Sequence, residues 1–278
     1  MLWATYNKRQ NIKMSDAASD DLDALARDLL KVMMTPKRRV RPRIAGAFNQ
    51  AEELEVETPS GPVMTWRVGK GPATLLVHGW EDDNCLWGPL ADKCYDLGRS
   101  VVAMDLPGHG FSKAELGPTS EVAAAVRAVG EAQGPIDSIV AHSFGCPVSM
   151  EAMTQGLEVK RVALIATPIP RMSQRWKRAS EKGVPDDVIE RAKEIYEAEA
   201  ATRPEPYDME AAAEEMKAKA LFVHSLDDDD CPASNSQDLK RAWPGAKIML
   251  TDELGHRLVA QDSATLDRII DFIEGFES

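Results

Sequence analysis

At 278 residues with 44% hydrophobic content, the chain has the material for one large core, and 33 Lys+Arg against 45 Asp+Glu leave a net charge of −12. That balance opposes binding to nucleic acid and to anionic membrane surfaces, and no apolar run reaches membrane-spanning length, so no nucleic acid and no membrane span are expected. Four cysteines (Cys85, Cys94, Cys146, Cys231) lack any Cys-x-x-Cys spacing and read as free thiols, and the absence of a signal-length apolar stretch near Met1 makes the expected localisation cytoplasmic.

Residues Met1 to Met14 read as a leader without an assigned role. Ser19 to Met34 places Leu22, Leu25, Leu29, Val32 and Met33 on one helical stripe, with Ser19 or Asp20 as cap and Pro36 beyond its end. The basic run Lys37-Arg38-Arg39-Val40-Arg41-Pro42-Arg43 is taken as a solvated connector rather than a site for an anionic partner. Residues 1–50 thus form an extension. Two alternating runs, Glu53 to Glu57 and Val63 to Val68, flank a Pro/Gly turn and predict a hairpin.

From Ala73 to Val77 onward, apolar strands alternate with helices. Strands are expected at Ala73 to Val77, Ser100 to Met104, Ile136 to Val140 and Val159 to Ile165, with helices at Asn84 to Leu97, Ser120 to Gln133 and Val148 to Thr154. The pattern implies an α/β fold whose mostly parallel sheet has helices on both faces. It breaks over residues 168–217, a Pro-rich charged stretch with one clear amphipathic helix, on which Val188, Ala192, Ile195 and Tyr196 share a face and Asp187 and Glu190 have capping-box spacing. This stretch reads as a helical cap insertion. Strands and helices then resume at Ala220 to Leu226, Asn235 to Ala242, Lys247 to Thr251 and Ala264 to Phe276, so residues 51–167 and 218–278 form the core.

The chemistry centres on Ala141-His142-Ser143-Phe144-Gly145. A serine on a sharp strand-to-helix turn needs small residues two positions away on either side, which Ala141 and Gly145 supply. The Phe144 N–H, at the start of the following helix, would then face the same space as the serine hydroxyl with the positive end of a helix dipole behind it. A serine hydroxyl also needs a histidine base and a carboxylate to orient it. Of five histidines, His256 alone lies after the last strand and before the last helix; His78, His109 and His142 belong to turns at strand ends, and His224 lies inside a predicted strand.

These residues resemble the α/β-hydrolase family, whose nucleophile motif is Gly-x-Ser-x-Gly, with Ala141 in place of the first glycine. The resemblance runs from about Leu54 to Glu274. It implies an eight-stranded-type sheet and a Ser143, Asp228, His256 order of nucleophile, acid and base. The acid is chosen by aligning His224 and Pro232 with the family's His-Gly-x-x-Asp-x-x-x-Pro loop; Ser225 then stands at the glycine, and Asp227 is the alternative by one residue of register. The four adjacent carboxylates Asp227 to Asp230 could instead bind a hard cation, but a solvated acidic loop is the simpler reading. The family's His-Gly motif falls at His78-Gly79-Trp80, whose Trp80 N–H would join that of Phe144 in an oxyanion hole. The turn Asp105 to Ser112 also resembles a family turn, with a structural role.

The resemblance implies an ester hydrolase acting on a small-molecule ester of small to medium acyl chain, without cofactor or metal, as monomer or homodimer. Thioesterase, carbon-carbon hydrolase and acyltransferase chemistries on the same fold are alternatives, as is a small-molecule receptor that binds without turnover. Substrate contacts are expected from His78, Gly79 and His142, with Trp80, Trp87, Ile169, Met172 and Trp176 as apolar lining.

Overall fold

A computed structural model describes residues 19–41, 46–169, 172–200 and 207–276. The leader and Pro42-Arg43 lie outside these residues, as do the side chains of Ser19 and Asp20. Contacts divide the described chain into two compact units, one within residues 1–36 and 170–206, the other within 37–169 and 207–278.

The larger unit contains an eight-stranded sheet. Its strands are β1 (Glu52–Val56), β2 (Val63–Val68), β3 (Ala73–Val77), β4 (Ser100–Met104), β5 (Ile136–His142), β6 (Arg161–Ile165), β7 (Lys219–Ser225) and β8 (Lys247–Thr251). They lie in the order β1-β2-β4-β3-β5-β6-β7-β8. The hairpin β1–β2 is antiparallel, β2 joins β4 antiparallel, and every pairing from β4 through β3 to β8 is parallel. Side chains alternate across the sheet as the strand period of two requires. Leu75, Val77, Ile139 and Phe222 belong to one core layer, while Leu76, Val140, Ala163 and Val223 belong to the other. Trp87, expected in the pocket, is fully buried in that second layer beside Leu90 and Leu76.

Beyond β3 the chain leaves for β4 on one side and returns at β5 on the other. A crevice opens at such a switch point, outside the carboxyl ends of the parallel strands. The turn after β3, the turn after β5 and the loops after β7 and β8 all end on that edge.

Residues 37–50 and 207–217 belong to the larger unit, not to the extension and the cap. Ala47 and Phe48 are buried in the second core layer, and Met209 and Ala213 in the first. The smaller unit packs α1 (Ser19–Met34) with two helices of the insertion, Met172–Glu181 and Asp186–Ala200. Leu25, Leu29 and Leu30 meet Val188, Ala192 and Ile195, and Trp176 packs edge-on against Tyr196 at 6.1 Å. Arg191 clasps both carboxylate oxygens of Asp23, at 2.6 and 3.0 Å. The expected capping box does not form: Glu190 turns to Lys193, and Asp187 caps only Val188 N–H. Among its described residues the insertion stretch carries three helices, the third being Met209–Glu215. The first has few apolar residues for its length and the third is short and alanine-rich.

Candidate active site

At the end of β5 the chain reverses into the helix Gly145–Thr154, and Ser143 takes φ 51° to make that turn. Left-handed backbone is uncommon for a side chain larger than glycine and is found where surrounding structure enforces it. Here Ser143 N–H donates to Ile165 O at 2.9 Å, and Cys146 N–H donates to Ser143 O at 2.8 Å. A Cβ on Gly145 would lie 2.4 Å from Val77 O, so only glycine lets the helix start this close to β3. Gly79 plays the matching part across the crevice, since a Cβ there would stand 2.8 Å from Ser143 Cβ.

The Ser143 hydroxyl lies 2.9 Å from His256 Nε2, and His256 Nδ1 lies 2.8 Å from Asp228 Oδ2. His256 is half-exposed and sits on a four-residue helical turn, Gly255–Leu258, where the sequence suggested a loop. Asp228 is buried. Its Oδ1 accepts the N–H groups of Asp230 and Cys231, both at 2.8 Å, and its Oδ2 also receives His224 Nε2 at 3.2 Å. Burial alone would raise its pKa, but the hydrogen bonds from His224 and His256 and from the backbone win and hold it well below the ordinary carboxylate value. Asp227 turns the other way, accepting Ser225 Oγ–H and, at 3.0 Å, Gly255 N–H. This arrangement can pass a proton from a hydroxyl to an imidazole that a fixed carboxylate steadies.

His142 Nε2–H donates to His256 O at 2.8 Å, and the two rings lie 5.0 Å apart. Burial and the neighbouring His256 push the His142 pKa down to about 4, so the ring is neutral at pH 7. His78 is also fully buried: Nδ1–H donates to Gly79 O at 2.7 Å and Nε2 accepts Leu106 N–H at 3.0 Å. With both nitrogens spent on backbone it braces the turn and is not open to substrate. His109 lies edge-on to Trp80 at 5.7 Å, and the Trp80 and Phe144 rings meet at 5.5 Å. Within the Asp105 to Ser112 turn, Ser112 Oγ accepts Met64 N–H and donates to Asp105 O, both internal bonds.

A cleft of about 210 Å³ opens on Ser143 and His256, lined by Gly79, Trp80, His142, Arg39, Glu81, Asp82, Asp230 and Arg257. The apolar lining expected from Trp87 and Ile169 is not there: Trp87 is core, and Ile169 packs on the first core layer. Met172 and Trp176 belong to the smaller unit. Charge takes the place of that lining. Arg39 pairs with Glu81 at 3.2 Å, Arg257 holds Asp82 in a two-pronged grip, and Arg41 reaches Asp82 and Asp83. The run from Lys37 stays exposed as far as Val40, as a solvated connector would, but it is also a strap laid over the acidic turn Glu81-Asp82-Asp83, with Arg38 bonded to the carbonyls of His109, Gly110 and Ser112. Its one sequence signal is complementary charge, and no spacing rule joins a basic run to an acidic one 41 residues away.

The model of the Alpha/beta hydrolase family matches residues 74–271. The chain belongs to that family. Among its relatives, the pimeloyl-[acyl-carrier protein] methyl ester esterase of Xanthomonas campestris pv. campestris is 32% identical over 120 residues, 42% of this chain and 46% of that one. The enzyme of the same name from Xylella fastidiosa is 28% identical over 129 residues, 46% of this chain and 49% of that one. The chain thus spans just under half the length of these curated relatives. Among solved structures, a Pyrococcus furiosus esterase superposes with a TM-score of 0.68 over 87% of this chain and 99% of its own, at 14% identity. A Rhodococcus esterase follows at 0.65 over 81% and 99%, at 18% identity, and both establish the α/β-hydrolase fold. Among the described residues, no helix of this family member is long and apolar enough to cross a membrane.

Proposed function

We propose that this α/β hydrolase is a serine esterase for carboxylic esters with a small group at the reacting end. The observation that carries the reading is the unbroken line from Ser143 Oγ through His256 to Asp228, at 2.9 and 2.8 Å. His256 takes the Ser143 proton as the hydroxyl attacks the ester carbonyl, and Asp228 holds the imidazole as the tautomer with Nδ1–H. The tetrahedral oxyanion is stabilised by the backbone N–H groups of Phe144, at the head of its helix, and of Trp80, in the turn that Gly79 brings against Ser143. His256 returns the proton to the departing alkoxide, and water then releases the acyl group by the same route.

A cleft of about 210 Å³ supports a small reacting end. The relatives' name specifies a methyl ester, a group of that size, and supports methyl esters as the first substrates to try. The test is hydrolysis of p-nitrophenyl esters from acetate to palmitate, and of methyl against butyl esters of one acid, by wild type and Ser143→Ala. The expected result is a Ser143-dependent burst and turnover favouring acetate and methyl, with Ser143→Ala at least about 10⁴-fold slower. Turnover surviving in Ser143→Ala overturns the reading of the nucleophile, and a preference for palmitate overturns the reading of the cleft.

A further inference from the structure

Two loops carry the groups that this reading assigns to the reaction: the turn after β3, with Trp80, and the helical turn after β8, with His256. Each is anchored to its own surroundings. Gly255 N–H donates to Asp227 and His256 O accepts from His142, which tie the second loop to the ends of β7 and β5. What ties it to the first loop is Asp82. This carboxylate is 2% exposed and uses both oxygens. Oδ2 accepts Arg257 Nη1, and Oδ1 accepts Arg257 Nη2 at 3.0 Å, its neighbour's N–H (Asp83) at 2.9 Å, and Arg41 Nη1.

Arg257 follows His256 directly, and Asp82 stands two residues after Trp80. Between them Glu81 adopts φ 54°, a left-handed conformation that a long side chain holds only under constraint. The strap supplies it: Glu81 accepts Lys37 N–H and Arg39, both at 3.2 Å, and Asp83 accepts Arg41 N–H at 3.1 Å. A carboxylate bonded by two planar guanidiniums has little freedom to shift, since each bond depends on direction as well as distance.

We infer that Asp82 is a positioning residue for the reaction proposed above, on whose reading this inference rests: through Arg257 and Arg41 it sets the distance between the Trp80 amide and the His256 imidazole. Such spacing matters because a displacement of about 1 Å between groups that act together costs on the order of 100-fold in rate. The strap, whose Arg39 lines the cleft together with Ser143 and His256, is then part of the active site.

The experiment compares Asp82→Asn, Arg257→Gln, Arg257→Lys and the Asp82→Asn/Arg257→Gln double variant of the full chain on p-nitrophenyl acetate. Active sites are counted by a fluorophosphonate burst, and Ser143→Ala runs beside them. Expected for Asp82→Asn and Arg257→Gln is a kcat per titrated site lower by about 10- to 100-fold with KM within about threefold. Arg257→Lys, which keeps the charge but cannot make the two-pronged grip, should regain only a minor part of the loss, and the double variant should be no slower than Asp82→Asn. Unchanged kcat per titrated site, with only the melting temperature lowered, overturns the inference and leaves Asp82 a structural ion pair. If Asp82→Asn fails to fold, the half-exposed Arg257 decides the question alone. Turnover in Ser143→Ala would instead break the underlying reading and leaves a distinct signature.

Discussion

Two buried carboxylates flank the crevice, and they are satisfied in different ways. Asp228 is held by two backbone N–H groups of its own loop and by two imidazoles. Asp82 is held chiefly by guanidiniums from positions 41 and 175 residues away in the chain. Hydrogen bonds from neutral or switchable donors leave Asp228 able to respond when its imidazole partner gains a proton. Permanent charges leave Asp82 nothing to respond to, which suits a clamp.

The largest effect that tests this contrast falls on Asp228. Asp228→Asn keeps the shape of the side chain but offers His256 an amide, so the wrong tautomer is stabilised and kcat should fall about 10⁴-fold. The same exchange at Asp82 should cost no more than about 100-fold. Stopped-flow burst kinetics on both variants would break the comparison if the two losses proved equal.

A second test is acid stability. Burial holds His78 at about 3 and His142 at about 4 in the folded chain, so both bind protons more weakly folded than unfolded. Their contribution to stability is intact above the unfolded value of 6.5 and declines as pH falls toward those folded values. Asp105 works against them: burial lifts it to about 7, so its own contribution is present in acid and lost as pH rises from 3.8 toward 7. Two histidines against one carboxyl leave a net loss of stability on acidification between pH 6.5 and 4. Asp82 adds a further loss lower down. Burial alone would raise its pKa, but Arg257 and Arg41 bring it to about 2, so its contribution holds above 3.8 and disappears as pH falls to about 2. Thermal melts from pH 8 to 3 should show the decline beginning near 6.5, and His142→Asn should flatten it. A melting temperature unchanged down to pH 4 would refute the assignment of His142 as a neutral buried ring.

The smallest effect is expected at Arg39. Its side chain is 53% exposed where it meets Glu81. Exposed pairs contribute roughly 0–1 kcal/mol, so Arg39→Gln should alter stability by no more than that and kcat by less than about twofold. A tenfold change in KM for neutral esters would instead make Arg39 a substrate contact.

The sheet was legible in the sequence because its signals are local. β3, β4 and β8 match the apolar runs Ala73 to Val77, Ser100 to Met104 and Lys247 to Thr251 residue for residue. β3 and β4, buried on both faces, declare themselves by continuous β-branched and aliphatic residues, whereas β8 is a partly exposed edge strand whose short apolar stretch is bounded by turn residues. The Ser143 turn is legible for the same reason, since φ 51° and the close approach of Gly145 to Val77 constrain residues within a few positions of the serine. The bonds of Asp228 to Asp230, Cys231 and His224 also fall within one short stretch, and Asp228 rather than Asp227 meets His256.

Of the apolar lining expected for the cleft, Trp80 is in place, while charged side chains stand where Trp87 and Ile169 were expected. Trp87 had the composition of a pocket residue but follows a strand whose neighbours bury it completely. The basic run had the composition of a connector, yet its partners wait in a turn 41 or more residues further on. Local backbone preference and the strand period determined the sheet and the serine turn, and the resemblance to the family's motifs supplied the order Ser143, Asp228, His256. The tertiary structure alone decided which charges meet, because an ion pair between distant segments depends on where the sheet brings their loops and leaves no period or spacing in the sequence.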